Sequence, residues 1–215
     1  MARKTKAEAA LTRQRIVESA RQVFSRAGVT NTSLEEVAQE AGVTRGAVYW
    51  HFRDKADLFR AVRADTGTLL RLGPRGSGDA LRRLETTLVE AVRRLRGEAA
   101  ARRTYEVMLW KCEYVDELAP VRTELMKAGG VFAEELRQLY AQALTEGVTE
   151  PGLDPKLAAL ETLCLYAGMV KLWLADTGGE MLRPQAEAMI RQHVALRRRR
   201  DPGAPPAPGR PRRKT

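Results

Sequence analysis

The sequence predicts an all-α protein, with an N-terminal three-helix helix-turn-helix head and a C-terminal helical bundle, about nine helices in all. Three observations point there. Apolar residues recur at i, i+3 and i+4 along most of the chain, the spacing of one helix face. Sustained period-2 alternation is missing and β-branched residues rarely cluster, so strands have no signal. Capping residues and glycine stops mark helix ends at several places.

Taken in order, Ile16, Ala20, Val23, Phe24 and Ala27 form a stripe that stops at Gly28, a residue suited to the position just past a helix end. A short second helix opens at Ser33 with Glu36 completing a capping box and runs to Ala41 before Gly42. A third opens on Thr44 as N-cap and carries Arg45 to His51. Asp54 caps a long fourth helix with Leu58, Phe59, Val62, Leu69 and Leu70 on its apolar side. GPRGSG, residues 73–78, is a loop by composition, and helices follow at about 79–96, 100–114, 117–146, 155–175 and 184–199. Asp154 before Pro155 signs one start, with Asp as N-cap and Pro at the first helical position, and the same logic places Pro184. The last 15 residues hold five prolines and are expected to be disordered.

With 215 residues the chain can bury a real core without staples. Its net charge of +10 is uneven: residues 1–65 carry +4, residues 66–196 carry −1 and residues 197–215 carry +7. Basic ends around a neutral middle point to a polyanion, most simply nucleic acid. The basic tail either adds a sequence-blind, salt-sensitive attraction or is simply solvated charge. Cys112 and Cys164 lie far apart in apolar surroundings, which excludes a disulfide framework and a zinc spacing. Two histidines, His51 and His193, leave little for acid–base chemistry, so no enzyme, cofactor or metal site is expected. Unbroken apolar runs fall far short of the ~20 residues that span a bilayer, and no apolar segment backs the basic N-terminus. A soluble, cytoplasmic protein is expected.

The chemistry is concentrated in residues 32–52, where two short helices meet around Gly42. Ala38 is small where the helices must approach, and Val37 and Val48 provide their contact. The second helix then shows Thr44, Arg45, Gly46, Tyr49 and His51 outward, a polar and aromatic face suited to a major groove. Arg45 suits the fork onto guanine O6 and N7, worth about 1–3 kcal/mol of base discrimination. Gly46 leaves room for a DNA backbone, and Lys55 is placed for a phosphate. Trp50 and Phe52 read as core.

The stretch TSLEEVAQEAGVTRGAVYWHFRDKADLF resembles the DNA-binding head of the TetR family of bacterial transcriptional repressors. The opening MARKTKAEA…TRQRI is similar to its AcrR-like branch, which controls multidrug efflux pumps, and WKCEYVDEL (110–118) and YAGMVKLWL (166–174) resemble that branch too. The resemblance is dense over residues 1–62, thins through the body and is absent from the tail. It implies a homodimer that binds a pseudo-palindromic double-stranded operator and lets go when a small lipophilic effector enters the body. Carried over by position, it implies DNA contacts at Ser33, Thr44, Arg45, Gly46, Tyr49, His51 and Lys55, with the arm Arg3, Lys4 and Lys6 reaching a flanking groove. Ser33 is also explained by capping alone.

In the body, Tyr105, Met108, Trp110, Glu113, Tyr114, Met169 and Trp173 are the expected ligand-binding residues, since Met and aromatic linings suit promiscuous apolar ligands. Trp110 near Glu113 would favour lipophilic cations. The resemblance also draws on the fourth helix, where Asp65-Thr66-Gly67 puts a glycine in place of a side chain. Leu160, Cys164, Ala167, Gly168 and Lys171, with Met189 and Ile190, are the expected dimer seam, although a core reading predicts the same spacing. The expected divisions are a basic arm (1–9), a DNA-binding head (10–56), a ligand-binding and dimerisation body (57–199) and a basic Pro-rich tail (200–215). Besides an efflux repressor, two readings stay open at this point: a TetR-type repressor of a metabolic or biosynthetic operon, and a non-specific polyanion-binding protein.

Overall fold

The computed structural model describes residues 6–65 and 77–199. The expectations for Arg3, Lys4, Thr66, Gly67, Leu69, Leu70, most of the 73–78 loop and the tail 200–215 lie outside the described residues. Within them the chain is helical, with helices α1 (Lys6–Ala27), α2 (Leu34–Glu40), α3 (Arg45–His51), α4 (Lys55–Asp65), α5 (Ala80–Gly97), α6 (Ala99–Trp110), α7 (Ala119–Thr145), α8 (Pro155–Ala175) and α9 (Ala186–Ala195). One 3₁₀ turn, Asp116–Leu118, precedes α7.

Local chemistry sets most of the boundaries. Gly28 (φ +86°) ends α1 and Gly42 (φ +61°) ends α2, both in the left-handed region that glycine enters freely. The α2 capping box is complete: the Glu36 amide donates to Ser33 Oγ at 3.2 Å, and the Ser33 amide donates to the Glu36 carboxylate at 2.7 Å. That backbone donor holds the Glu36 carboxyl below its ordinary pKa. Thr44, Asp54 and Asp154 each accept an amide from the first turn of α3, α4 and α8.

Three ends differ from expectation, one of them the close of α9, which comes at Ala195 rather than 199. Helix α6 stops at Trp110 rather than 114, because the Lys111 carbonyl turns aside to accept the Val29 amide at 2.7 Å. The Tyr114 hydroxyl then donates to the Met108 carbonyl at 2.8 Å, satisfying a helix-end acceptor. Pro184 does not start a helix either. The Asp176 carboxylate gathers the amides of Gly179, Met181 and Leu182 into a folded connection, and α9 begins only at Ala186.

Apolar side chains segregate into two cores. The head core joins Ile16, Ala20, Phe24, Val37, Val48 and Phe52 to Leu58, Phe59 and Val62 of α4, and also takes in Val107, Leu118 and Val121 from farther along the chain. The body core packs α5, α7, α8 and α9 around Leu84, Leu88, Leu136, Tyr140, Tyr166, Trp173 and Ile190. Packing therefore draws α4 and the 107–121 segment into the head, beyond a boundary at residue 56. Helix α7 belongs to both cores: its first end carries Val121 into the head, while Phe132, Leu136 and Tyr140 enter the body. Between them, residues 122–131 contain no buried side chain, and Gly129 and Gly130 sit there.

Polar interactions close the far end of the body. Thr162 Oγ1 of α8 lies 2.7 Å from the Tyr140 hydroxyl of α7 and 2.8 Å from His193 Nε2 of α9, and it donates to the Ala158 carbonyl at 2.8 Å. Arg197 is a donor only, and it stands 3.1 Å from His193 Nδ1. His193 therefore accepts at Nδ1 and carries its proton on Nε2 toward Thr162. Arg197 also donates to Glu161 at 2.5 Å, Arg198 forks onto Asp79, and the Arg199 amide bonds the Val148 carbonyl at 2.8 Å. These three arginines, counted in the basic tail by charge, are part of the fold.

Candidate nucleic-acid interface

Helices α2 and α3 meet through Val37, Ala38 and Val48, all buried to 3 % exposure or less. This contact fixes α3 so that its outer face carries Thr44, Arg45, Gly46, Tyr49 and Trp50, each exposed. The space beyond Gly46 is open apart from the Thr44 hydroxyl 4.0 Å from where a Cβ would stand, so a phosphate backbone can come close.

Arg45 is held against its own helix and α2. Its guanidinium lies 5.4 Å from the Tyr49 ring centroid, and its terminal nitrogen is 3.7 Å from the Glu35 carboxylate of α2. An exposed pair of this length is weak, so DNA can take the guanidinium from Glu35. His51 is half-buried with its ring edge-on to Trp50 at 4.5 Å. Ser33 and Thr44 spend their hydroxyls on the caps of α2 and α3.

Two side chains depart from their sequence reading. Trp50, expected in the core, is 73 % exposed, whereas its companion Phe52 is 2 % exposed. The signal was present: Trp50 lies four residues after Gly46, so one helical turn puts both on the outer face. Lys55, expected on a phosphate, is turned inward: its ammonium donates to the Thr30 carbonyl at 2.8 Å and lies 3.4 Å from Glu117, and its side chain is only 14 % exposed. Lys55 ties the head to the turn before α7 instead. Arg53, which sequence reasoning passed over, stands 82 % exposed just beyond α3. Lys6 begins α1 in an exposed position.

The expected ligand residues are not gathered in one place. Tyr105, Met169 and Trp173 pack in or against the body core, while Met108 and Tyr114 pack against the head core. Burial pushes the Tyr114 phenol up, and pushes the neighbouring Cys112 thiol up to about 11, which makes that thiol unreactive at neutral pH. Glu113 is exposed. Trp110 already carries a cation: Lys171 Nζ of α8 stands 5.2 Å from its ring centroid. The site expected for a lipophilic cation is therefore met by the protein's own lysine.

The expected seam also divides. Leu160, Cys164, Ala167, Gly168 and Lys171 lie on the exposed side of α8. Ile190 is completely buried in its own chain and Met189 packs against the same core, because the apolar face of α9 is used against α5. Ile190 therefore belongs to no outward face, while Met189 is half-buried.

Comparison with known proteins finds two matched segments along the chain. Residues 16–62 match the family described as bacterial regulatory proteins, tetR family, and residues 79–198 match the MAATS-type transcriptional repressor, C-terminal region. The chain belongs to the TetR family. The AcrR regulator of Shigella flexneri is 35 % identical to it over 201 residues, covering 91 % of this chain and 92 % of that one. NalD, the secondary repressor of the MexAB-OprM multidrug efflux pump in Pseudomonas aeruginosa, superposes with a TM-score of 0.81 at 32 % identity, covering 90 % of this chain and 99 % of NalD. SmeT in complex with triclosan gives a TM-score of 0.74 at 25 % identity, with 93 % and 99 % covered. The tetR-family match over residues 16–62 takes in the α2–α3 helix-turn-helix and reaches into α4, whose Leu58, Phe59 and Val62 share the head core.

Proposed function

We propose that this TetR-family protein is a ligand-responsive repressor of a multidrug efflux operon, binding a pseudo-palindromic operator as a homodimer and leaving it when a small lipophilic molecule enters the body. The observation that carries this reading is likeness over head and body together to AcrR and to NalD, a repressor of an efflux pump. On the operator, Arg45 reads guanine, while Thr44, Tyr49, His51 and the open backbone at Gly46 meet bases and phosphates, with Ser33 and the arm residues Arg3, Lys4 and Lys6 beside them. Trp50 adds an apolar contact on the same face. Lys55 acts as a brace between head and body.

The dimer forms through α8. Leu157 (56 % exposed), Leu160 (44 %) and Leu172 (49 %) flank Cys164, Ala167 and Gly168 on its outer side, and an apolar helix face of this kind needs cover. A lipophilic effector, the class to which the triclosan of the SmeT complex belongs, binds among the apolar side chains of the body near Tyr105, Met169 and Trp173. It releases DNA only through its differential affinity for the two head arrangements.

The test is footprinting of the purified protein on DNA flanking its own gene, with and without triclosan. A protected inverted repeat, released by triclosan and by unrelated lipophilic drugs, is the expected result. Release by one metabolite alone favours a metabolic or biosynthetic operon. Equal binding to random DNA overturns the repressor reading in favour of a non-specific polyanion binder.

A further inference from the structure

Arg21 is the one fully buried charged residue among the described residues, at 1 % exposure. It projects from α1 where head meets body, and its three guanidinium nitrogens are all committed. Nε donates to Thr104 Oγ1 of α6 at 3.0 Å, one terminal nitrogen pairs with Glu18 of α1, and the other pairs with Asp65 at the end of α4. Thr104 is itself 1 % exposed. A guanidinium is a rigid planar fork, so bonds from its three nitrogens fix three directions at once. A buried charge stripped of partners is strongly unfavourable. Arg21 therefore resists following one helix away from the others, and its bonds favour one mutual angle of α1, α4 and α6.

These three helices are the joint of the molecule. Helix α1 carries Ile16, Ala20 and Phe24 into the head core against which α3 packs, α4 adds Leu58, Phe59 and Val62 to that core and ends at Asp65, and α6 leads from the body to the segment that re-enters the head core. We propose that Arg21 is a positioning residue that sets the angle between head and body, and so sets the separation of operator half-sites that the dimer accepts. The proposal deepens the repressor reading and rests on it. Arg21 itself touches no DNA. Its effect is on which spacing fits, because two heads held by one dimer must match two half-sites a fixed distance apart. Asp65 is the exchangeable partner: its side chain is 41 % exposed, whereas Thr104 is sealed in. A displacement of the end of α4 reaches the head through that ion pair first.

The test uses the full chain and a duplex selected from a random pool by the wild-type protein, together with copies carrying one base pair more or fewer between the half-sites. Arg21→Met replaces the guanidinium with an unbranched apolar chain, and Asp65→Asn removes only the outer charge. Folding and dimerisation of both are checked by circular dichroism and sedimentation. Wild type is expected to discriminate sharply among the spacings. Both variants are expected to bind the selected duplex about tenfold more weakly and to lose most of the spacing preference. Their discrimination against a substituted base inside a half-site should stay as in wild type, since Arg45 and its face are untouched. Should Arg21→Met fail to fold, Asp65→Asn alone decides. A folded variant with lower thermal stability but the wild-type spacing preference overturns the proposal and leaves Arg21 a structural residue. A wild-type protein that selects no duplex overturns the repressor reading itself.

Discussion

Arg198 forks onto Asp79 through two bonds of 2.9 Å, joining residues 119 positions apart and closing the C-terminal end of the described chain onto the start of the body. The same carboxylate caps α5 by accepting the Arg82 amide at 2.9 Å. The Arg198 bond, first, and the backbone donors hold Asp79 below its ordinary carboxyl range. Arg198→Ala should lower stability by about 1 kcal/mol or less, since the arginine is 41 % exposed and water screens the pair. Asp79→Ala removes the cap as well and should cost about 1 kcal/mol more. Because the folded pKa lies below the unfolded one, this contribution is complete above the unfolded carboxyl pKa and is lost as pH falls through the folded value. Urea titrations at pH 7 and pH 3 on both variants check this.

His193 gives a second pH dependence at a higher range. Burial, and then the charge of Arg197, push its pKa down to about 4 from an ordinary 6.5. The folded protein thus refuses a proton that the unfolded chain accepts. The stability held by neutral His193 is full above about pH 6.5 and declines as pH falls toward 4, below which both states are protonated. Wild-type melting temperature should drop across that window, and His193→Asn should be less stable at pH 7 but show a shallower decline. Parallel curves for the two proteins would remove His193 as the cause.

On α3, Arg45→Ala should weaken operator binding about tenfold or more while leaving binding to random duplexes nearly unchanged. Equal losses on both would show that Arg45 meets phosphate rather than a base. Trp50→Ala should leave the melting temperature close to wild type, because the indole is 73 % exposed, and should reduce DNA affinity. A large loss of stability would return Trp50 to the core.

Helix α7 can be strengthened at its middle. A Cβ at Gly129 or Gly130 meets nothing within 4 Å, and neither residue has a positive φ. Alanine at each position should raise stability by about 0.5–1 kcal/mol, read as additive shifts in denaturant midpoint. A loss of stability would show that residues 122–131 are packed in solution.

The charge of the tail suits either a DNA-attracting role or plain solvation. Its anchor at Arg199 favours the second. Helix α7 has 27 residues, about 40 Å of helix; its first end lies at the head core, and Arg199 bonds the Val148 carbonyl just past the other end. Removing residues 201–215 should leave the salt dependence of operator binding unchanged. A flatter slope would show that the tail reaches DNA.

The sequence by itself determined what depends on near neighbours. Ser33 with Glu36, Thr44 at the start of α3 and the glycines at 28 and 42 specify the head, because caps and left-handed turns involve residues three or four apart. The same logic exposed Arg45 and Tyr49, and, followed strictly from Gly46, it would have exposed Trp50. What it could not show is where a helix spends a face that several partners would suit. Equal apolar spacing on α8 and α9 hid the fact that Ile190 is core while Leu160 faces outward. A lysine after α3 reads as a phosphate contact until Thr30 and Glu117 are seen to hold it. Arginines 197–199 read as tail charge until Glu161, Asp79 and Val148 are found beside them. Only the tertiary structure decided these, because each is a contact between residues 25 or more positions apart, made by the packing of helices and by the need of every buried polar group for a partner.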